Sequence, residues 1–246
     1  MRRYPSAHVS SVSFGPGPLS QSLKVLIGVN VALFLAQTAI PGLTWALGLW
    51  PSAVVSDLQV WRLATYMFLH GGVFHLLFNM LVLWMFGTEL ERIWGTRAFL
   101  KFYFVTGAGA GVLTVLFSAL PIDVAGEIRQ SLVIGASGAV YGLLLAYGLY
   151  FPDRPILMAL LFPIPAKYFV MIIGAIALYS SLGTTGGVAH ATHLGGLIVG
   201  YLYLKGPRNP WADVQYQYLR WRYNRARKRF NVHRGGRGDD WNGPVH

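Results

Sequence analysis

Residues 69–88 read LHGGVFHLLFNMLVLWMFGT, twenty positions without one Asp, Glu, Lys or Arg. A membrane span needs about 17–25 predominantly apolar residues, so this stretch predicts a transmembrane helix. It also carries His70, His75 and Asn79, and polar side chains are costly in lipid and tend to mark function. Working outward, five further stretches have the same character: 24–41, 98–120, 131–150, 168–184 and 188–204. The last two are separated by a short turn, Gly183 to Gly187. Phe151 to Lys167 is also apolar, but Pro152, Pro155, Pro163 and Pro165 interrupt it. Proline fixes φ and removes a donor, so an interfacial loop is expected there.

The predicted fold is all-α: a polytopic membrane protein built as a six-transmembrane-helix bundle. Composition agrees. Of 246 residues, 54% are hydrophobic and 12% charged, about half the charged share of a soluble domain. A water-soluble globular protein is thereby excluded. The chain divides into an N-terminal segment 1–23, a membrane core 24–204 and a basic tail 205–246 whose Gly/Arg-rich end is expected to be partly disordered. Residues 1–21 are polar, with no apolar run of the kind a cleaved leader needs. Cysteine is absent, which excludes disulfides and thiolate metal sites.

The net charge is +11, and ten of the 20 Lys/Arg lie between Lys205 and Arg237. A basic tail can bind nucleic acid, but one that follows a membrane span is better read as contacting anionic lipid on the cytoplasmic side. Six spans with the N-terminus inside put 18 of the 20 basic residues on the inner side and leave Arg62 and Arg129 outside. The positive-inside rule selects that orientation, with both termini cytoplasmic. The outer connection 42–68 holds Trp45, Trp50 and Trp61. Such rings favour the headgroup level, and a loop this long is seldom structureless.

Three polar clusters then fall near the outer ends of spans 2, 4 and 6. His75 and Asn79 are four residues apart and share a helix face. Ser137 stands between Ala136 and Gly138 in GASGAVYG, with Tyr141 one turn on. His190 and His193 open the last span, followed by the small-xxx-small pair Gly196 and Gly200 that lets helices approach closely. Each cluster alone has an ordinary reading: a histidine bonded to a neighbouring carbonyl, or small-residue packing. Their common depth joins them into one candidate site.

The chemistry they support is nucleophilic. A serine hydroxyl needs a base, and imidazole is the usual one. The oxyanion formed in acyl transfer needs preorganised donors, for which His75, Asn79 and the Ser137 backbone N–H are candidates. No acid lies near His193 in sequence, so Ser137 and His193 would work as a dyad, with Tyr141 packed against the imidazole. The rival is zinc held by His70, His75, His190 and His193. It lacks an H-E-x-x-H motif and a nearby carboxylate, and it leaves Ser137 without a role; neither a metal nor another cofactor is therefore expected.

These residues together resemble the rhomboid intramembrane protease family over about residues 24–204. The resemblance rests on Trp61-Arg62, on H-x4-H-x3-N (His70, His75, Asn79), on Gly135-x-Ser137-Gly138 with Tyr141, and on His193, Gly196 and Gly200. It implies a serine endopeptidase with Ser137 as nucleophile, His193 as general base, Tyr141 stacked on the base, and His75 and Asn79 as oxyanion donors. His70 and Arg62 would be structural under and within the first loop, as would Glu91 with Gly95 after span 2; His190 receives no part. The implied partners are single-span transmembrane substrates, cut where the helix unwinds near the outer face, within a lipid bilayer. The implied location is a bacterial inner membrane, with no nucleic acid involved. The competing class is a non-catalytic rhomboid-like chaperone or scaffold. A transporter would be expected to show repeat symmetry.

Overall fold

The computed structural model describes residues 17–158, 162–181 and 187–206; the predicted turn at 183–187 falls largely outside them, as do the basic tail beyond Gly206 and most of the polar N-terminal segment. The chain divides into two compact units, Met1–Leu204 and Lys205–His246. The first holds the helical bundle.

Among the described residues there are ten α-helices and one two-stranded sheet. Three helices are long and apolar enough to cross a membrane: α1 (Gln21–Ala39), α5 (Val73–Trp94) and α6 (Thr96–Phe117). α8 (Ser137–Tyr150) and α9 (Ala166–Ser181) are apolar but shorter, and α10 (Gly187–Lys205) closes the set. These six occupy the six predicted stretches, with altered ends. Phe74 is 74% exposed and Tyr179 is 83% exposed. A surface of such side chains would aggregate in water; it is a surface for lipid, and the chain is an integral membrane protein.

The core lies where α5, α6 and α8 meet, around Leu83, Phe86, Phe99, Phe102, Tyr103, Leu143 and Ala146. α5 and α6 are joined by Gly95 alone. At that end Glu91 accepts from Ser20 Oγ at 2.5 Å and Thr96 Oγ1 at 2.6 Å, and also from Ser22, so one carboxylate ties the ends of α1, α5 and α6.

The connection 42–68 is structured along most of its length: α2 (Leu43–Leu47), α3 (Pro51–Ser56), α4 (Arg62–Thr65) and a 3-10 turn at Tyr66–Phe68. Arg62 organises it. Only 6% exposed, it donates from Nη1 to the carbonyls of Trp45 at 2.5 Å and Gly48 at 2.6 Å, and from Nε to Gln59 Oε1 at 2.6 Å. Burial lowers its pKa from the usual arginine value, with Asp57 opposing. Arg62→Met removes the donors from three acceptors and should destabilise the fold by about 2–4 kcal/mol. Arg62→Lys should recover less than half of that, because an ammonium cannot reproduce the planar fork. Thermal unfolding in detergent micelles checks both.

Two sequence expectations change here. Hydropathy extends the fourth span over 131–150, but its helix begins only at Ser137. Residues 131–136 are held out of the helix by the first loop: Leu49 and Val133 exchange backbone hydrogen bonds of 2.9 and 2.8 Å, and Gly135 N–H donates to Tyr66 O at 2.9 Å. Hydropathy cannot register these partners. The second change concerns 151–167, expected to be irregular. It contains an antiparallel hairpin, β1 (Pro155–Met158) and β2 (Phe162–Pro165), with Pro155 opposite Pro165 at its open end. Proline is tolerated at strand ends, where a missing donor interrupts no ladder. Arg154 anchors this segment to α5 through Glu89 Oε2 at 3.1 Å and lies 4.4 Å from the centre of the Phe151 ring. The eight-residue helix α7 (Asp123–Gln130) turns Ala125 and Ile128 inward and packs beside α3 and α6.

Candidate active site

The site forms where α5, α8 and α10 converge beneath the first loop. Ser137 is the first residue of α8. The opening N–H groups of a helix have no partner within it and carry the positive end of its dipole. The hydroxyl and these donors therefore share one location. Ser137 Oγ lies 2.9 Å from His193 Nε2, although 56 residues separate them in the chain.

The approach is permitted by glycine. A Cβ on Gly196 would lie 2.0 Å from Gly138 O, so α8 and α10 meet backbone to backbone one turn from the pair. The His193 ring stacks on Tyr141, with centroids 4.2 Å apart and planes 8° from parallel. Its Nδ1 is buried and meets no hydrogen-bond acceptor among the described residues. The pair has no third, acidic member within them.

On the facing helix, α5, the His75 ring packs against the backbone of Gly135. A Cβ there would stand 2.7 Å from His75 Cε1 and 2.8 Å from Nε2, and Gly135 has φ +129°, a region side chains avoid. Gly71 N–H donates to His75 Nδ1 at 3.3 Å. An Nδ1 that accepts is unprotonated, so in the neutral ring Nε2 carries the proton. That N–H is the atom beside Gly135, two residues before Ser137. Asn79, 6% exposed, donates from Nδ2 to His75 O at 2.7 Å. One of its two amide protons is thus committed within α5.

His70 precedes α5 and lies outside it, 2% exposed, with its ring edge-on to His75 at 5.1 Å. His190 is edge-on to His193 at 5.6 Å. The four histidines do not converge: among the described residues no group of three or more His or acidic side chains is placed to hold a metal. Arg62, Glu91 and Gly200 lie away from the pair, in the loop, at the opposite end of the bundle, and two turns along α10.

Sequence reading missed Gln37. From α1 its Oε1 accepts from the His70 N–H at 2.9 Å, and its Nε2 donates to His70 O at 3.4 Å and to Thr44 Oγ1 at 3.0 Å. A polar residue within an apolar span was the available signal. Its partners, 33 residues away for His70, were not.

A bundle of apolar helices enclosing a paired serine and histidine defines a class of integral membrane protein. The chain belongs to the rhomboid family: the family model described as Rhomboid domain matches residues 57–206. It is 33% identical over 155 residues to RHOMBOID-like protein 4 of Arabidopsis thaliana, covering 63% of this chain and 36% of that protein. Identity is 29% over 202 residues to the mitochondrial Rhomboid protein 1 of Saccharomyces cerevisiae, covering 72% of this chain and 51% of that one. With Rhomboid protease GlpG of Yersinia pestis it is 28% over 186 residues, 76% of this chain and 61% of the relative. The chain thus spans about a third to three fifths of these relatives' length.

Proposed function

We propose that this protein is an intramembrane serine endopeptidase that cleaves transmembrane segments of other proteins. The observation that carries the reading is the 2.9 Å contact between Ser137 Oγ and His193 Nε2, on a ring stacked against Tyr141. A serine with only a packing role needs no imidazole.

In this mechanism Ser137 Oγ attacks the scissile carbonyl carbon while its proton passes to His193 Nε2. Negative charge develops on the carbonyl oxygen, and the donors proposed for it are the Ser137 backbone N–H, His75 Nε2–H and Asn79 Nδ2–H. Such a donor is worth about 2.7–4 kcal/mol in the transition state. The imidazolium returns its proton to the leaving amine, and the peptide bond breaks. Water, deprotonated by the same nitrogen, then hydrolyses the acyl-serine ester. Tyr141 holds the imidazole plane through this cycle, a task an acid performs in a triad.

The helix length suits the substrate class. α8 has 14 residues, about 21 Å at 1.5 Å per residue, against a hydrocarbon core of about 30 Å. With its Tyr150 end at the inner boundary, its first residue sits below the opposite surface, at the depth of a substrate helix end. The positive-inside rule assigns that surface to the outside. A helical substrate must unwind locally there to expose a carbonyl.

The test uses purified protein in bilayers with a tagged single-span substrate, product mass analysis, and a fluorophosphonate probe of serine nucleophilicity. Cleavage resistant to chelator, with probe attached at Ser137, is expected. Binding of substrate without cleavage or labelling would overturn the protease reading in favour of a rhomboid-like scaffold. For Tyr141, replacement by Phe preserves the stack and should keep kcat within about 3-fold. Tyr141→Ala frees the ring and should lower kcat about 10–100-fold, in the range of positioning effects.

A further inference from the structure

α10 must present His193 at one rotation about its own axis, because the ring has to meet both Ser137 and Tyr141 of α8. The backbone seam there is glycine against glycine, Gly196 on Gly138, and the His193–Tyr141 stack lies one turn from it. Toward α6 the same helix offers Gly195, whose Cβ would lie 3.2 Å from Ala110 Cα and O. Further along, Val199 fills the space beside Gly109 and Tyr203 packs edge-on to Phe102, so α10 is keyed to α6 at its far end, while small residues let the two helices approach closely near His193. A rotation of about 20° moves a group 5–6 Å from the axis by about 2 Å, enough to break the serine–histidine contact.

A polar contact between α6 and α10, next to His193 in the chain, opposes such a rotation. Thr114 Oγ1 and Thr192 Oγ1 are 2.9 Å apart; Thr114 donates its one hydroxyl proton to Ala110 O, so it accepts from Thr192. Both residues are 1% exposed. Thr192 immediately precedes His193 in the chain, and its Cγ2 also abuts Gly138, 3.5 Å from where a Cβ there would stand. Thr114 also lies 2.8 Å from Ala110 O in its own helix, which aims its hydroxyl along α6 at a fixed height. Buried polar contacts of this kind are best attested as devices that specify register.

We propose that Thr114 is a positioning residue: its hydrogen bond to Thr192 fixes the rotation of α10 so that His193 Nε2 meets Ser137 Oγ. Thr114 touches neither reacting group and acts through Thr192. This role rests on the protease reading and adds to it a residue on α6, a helix that the dyad and its oxyanion donors do not use.

The experiment compares wild type, Thr114→Val, Thr114→Ser and the double variant Thr114→Val/Thr192→Val in bilayers. Measurements are kcat and KM for a cleaved single-span substrate, the rate of fluorophosphonate labelling at Ser137, and thermal unfolding. Thr114→Val is expected to lower kcat about 10–30-fold with KM within 2-fold, and to slow labelling in parallel, as a displacement of the base by about 1 Å would. Thr114→Ser restores the hydroxyl and should recover most of the rate. The double variant replaces the polar pair with two methyl-bearing chains, so it should remain folded and stay slow. Wild-type kcat in Thr114→Val, or a loss that Thr114→Ser fails to rescue, would overturn the positioning role and leave the protease reading standing. Wild type that neither cleaves nor labels would overturn both.

Discussion

Ser137→Ala is expected to reduce cleavage by about 10⁴-fold or more while leaving substrate affinity and thermal stability near wild type. Removing the nucleophile of a unit that acts together abolishes nearly all of what the unit contributes, and 10⁴-fold corresponds to about 5.4 kcal/mol at 1.36 kcal/mol per decade. The substitution deletes one oxygen at the first turn of α8, where Ser137 makes no capping bond that the helix depends on. His193→Ala should cost about as much in kcat. It should also lower stability by about 1–2 kcal/mol, since it vacates the stack on Tyr141 at 4.2 Å. The double variant should be no slower than either single one, because serine and histidine are parts of one step. Steady-state cleavage with each variant, alongside binding measured on the uncleaved substrate, checks the pattern. Additive losses, or residual cleavage in Ser137→Ala beyond one part in about 10³, would remove Ser137 from the mechanism.

Gly196→Ala is expected to be nearly as damaging to activity, and more damaging to stability, while Gly200→Ala is tolerated. At Gly196 the added Cβ would sit 2.0 Å from Gly138 O and 2.9 Å from Gly138 C. Both are backbone atoms, which cannot rotate aside, so α10 must withdraw from α8 by about 1 Å or more. That withdrawal opens the 2.9 Å serine–histidine contact and should lower kcat at least about 100-fold. Overpacking of this kind costs about 1–3 kcal/mol of stability. At Gly200 the nearest atoms would be Gly142 Cα at 3.2 Å, which a shift of a few tenths of an ångström relieves, and Leu145 Cδ2 and Phe102 Cζ at 3.5 Å, an ordinary van der Waals distance. Activity within about 3-fold of wild type is expected there. Thermal unfolding and kcat on the two variants separate the cases, and equal behaviour would show that the seam is looser than a backbone contact.

The contrast between these glycines shows where sequence and structure divide. Six apolar stretches in a chain with 12% charged residues were enough to determine a membrane-embedded helical bundle, because lipid leaves the backbone few alternatives to helix. The same patterning singled out Ser137, His193, His75, Asn79 and Tyr141, since each is a polar or ring-bearing group at the end of a span where apolar residues would be cheaper. What patterning cannot encode is which chain segments meet. The start of α8 at Ser137 rather than residue 131 depends on backbone bonds to Leu49 and Tyr66, and the role of Gln37 depends on its bonds to His70. The sequence presents Gly196 and Gly200 as an equivalent pair. Only the crossing of α10 over α8 makes one of them indispensable, because steric exclusion is decided by the distance between two backbones and no residue carries that distance in its own chemistry.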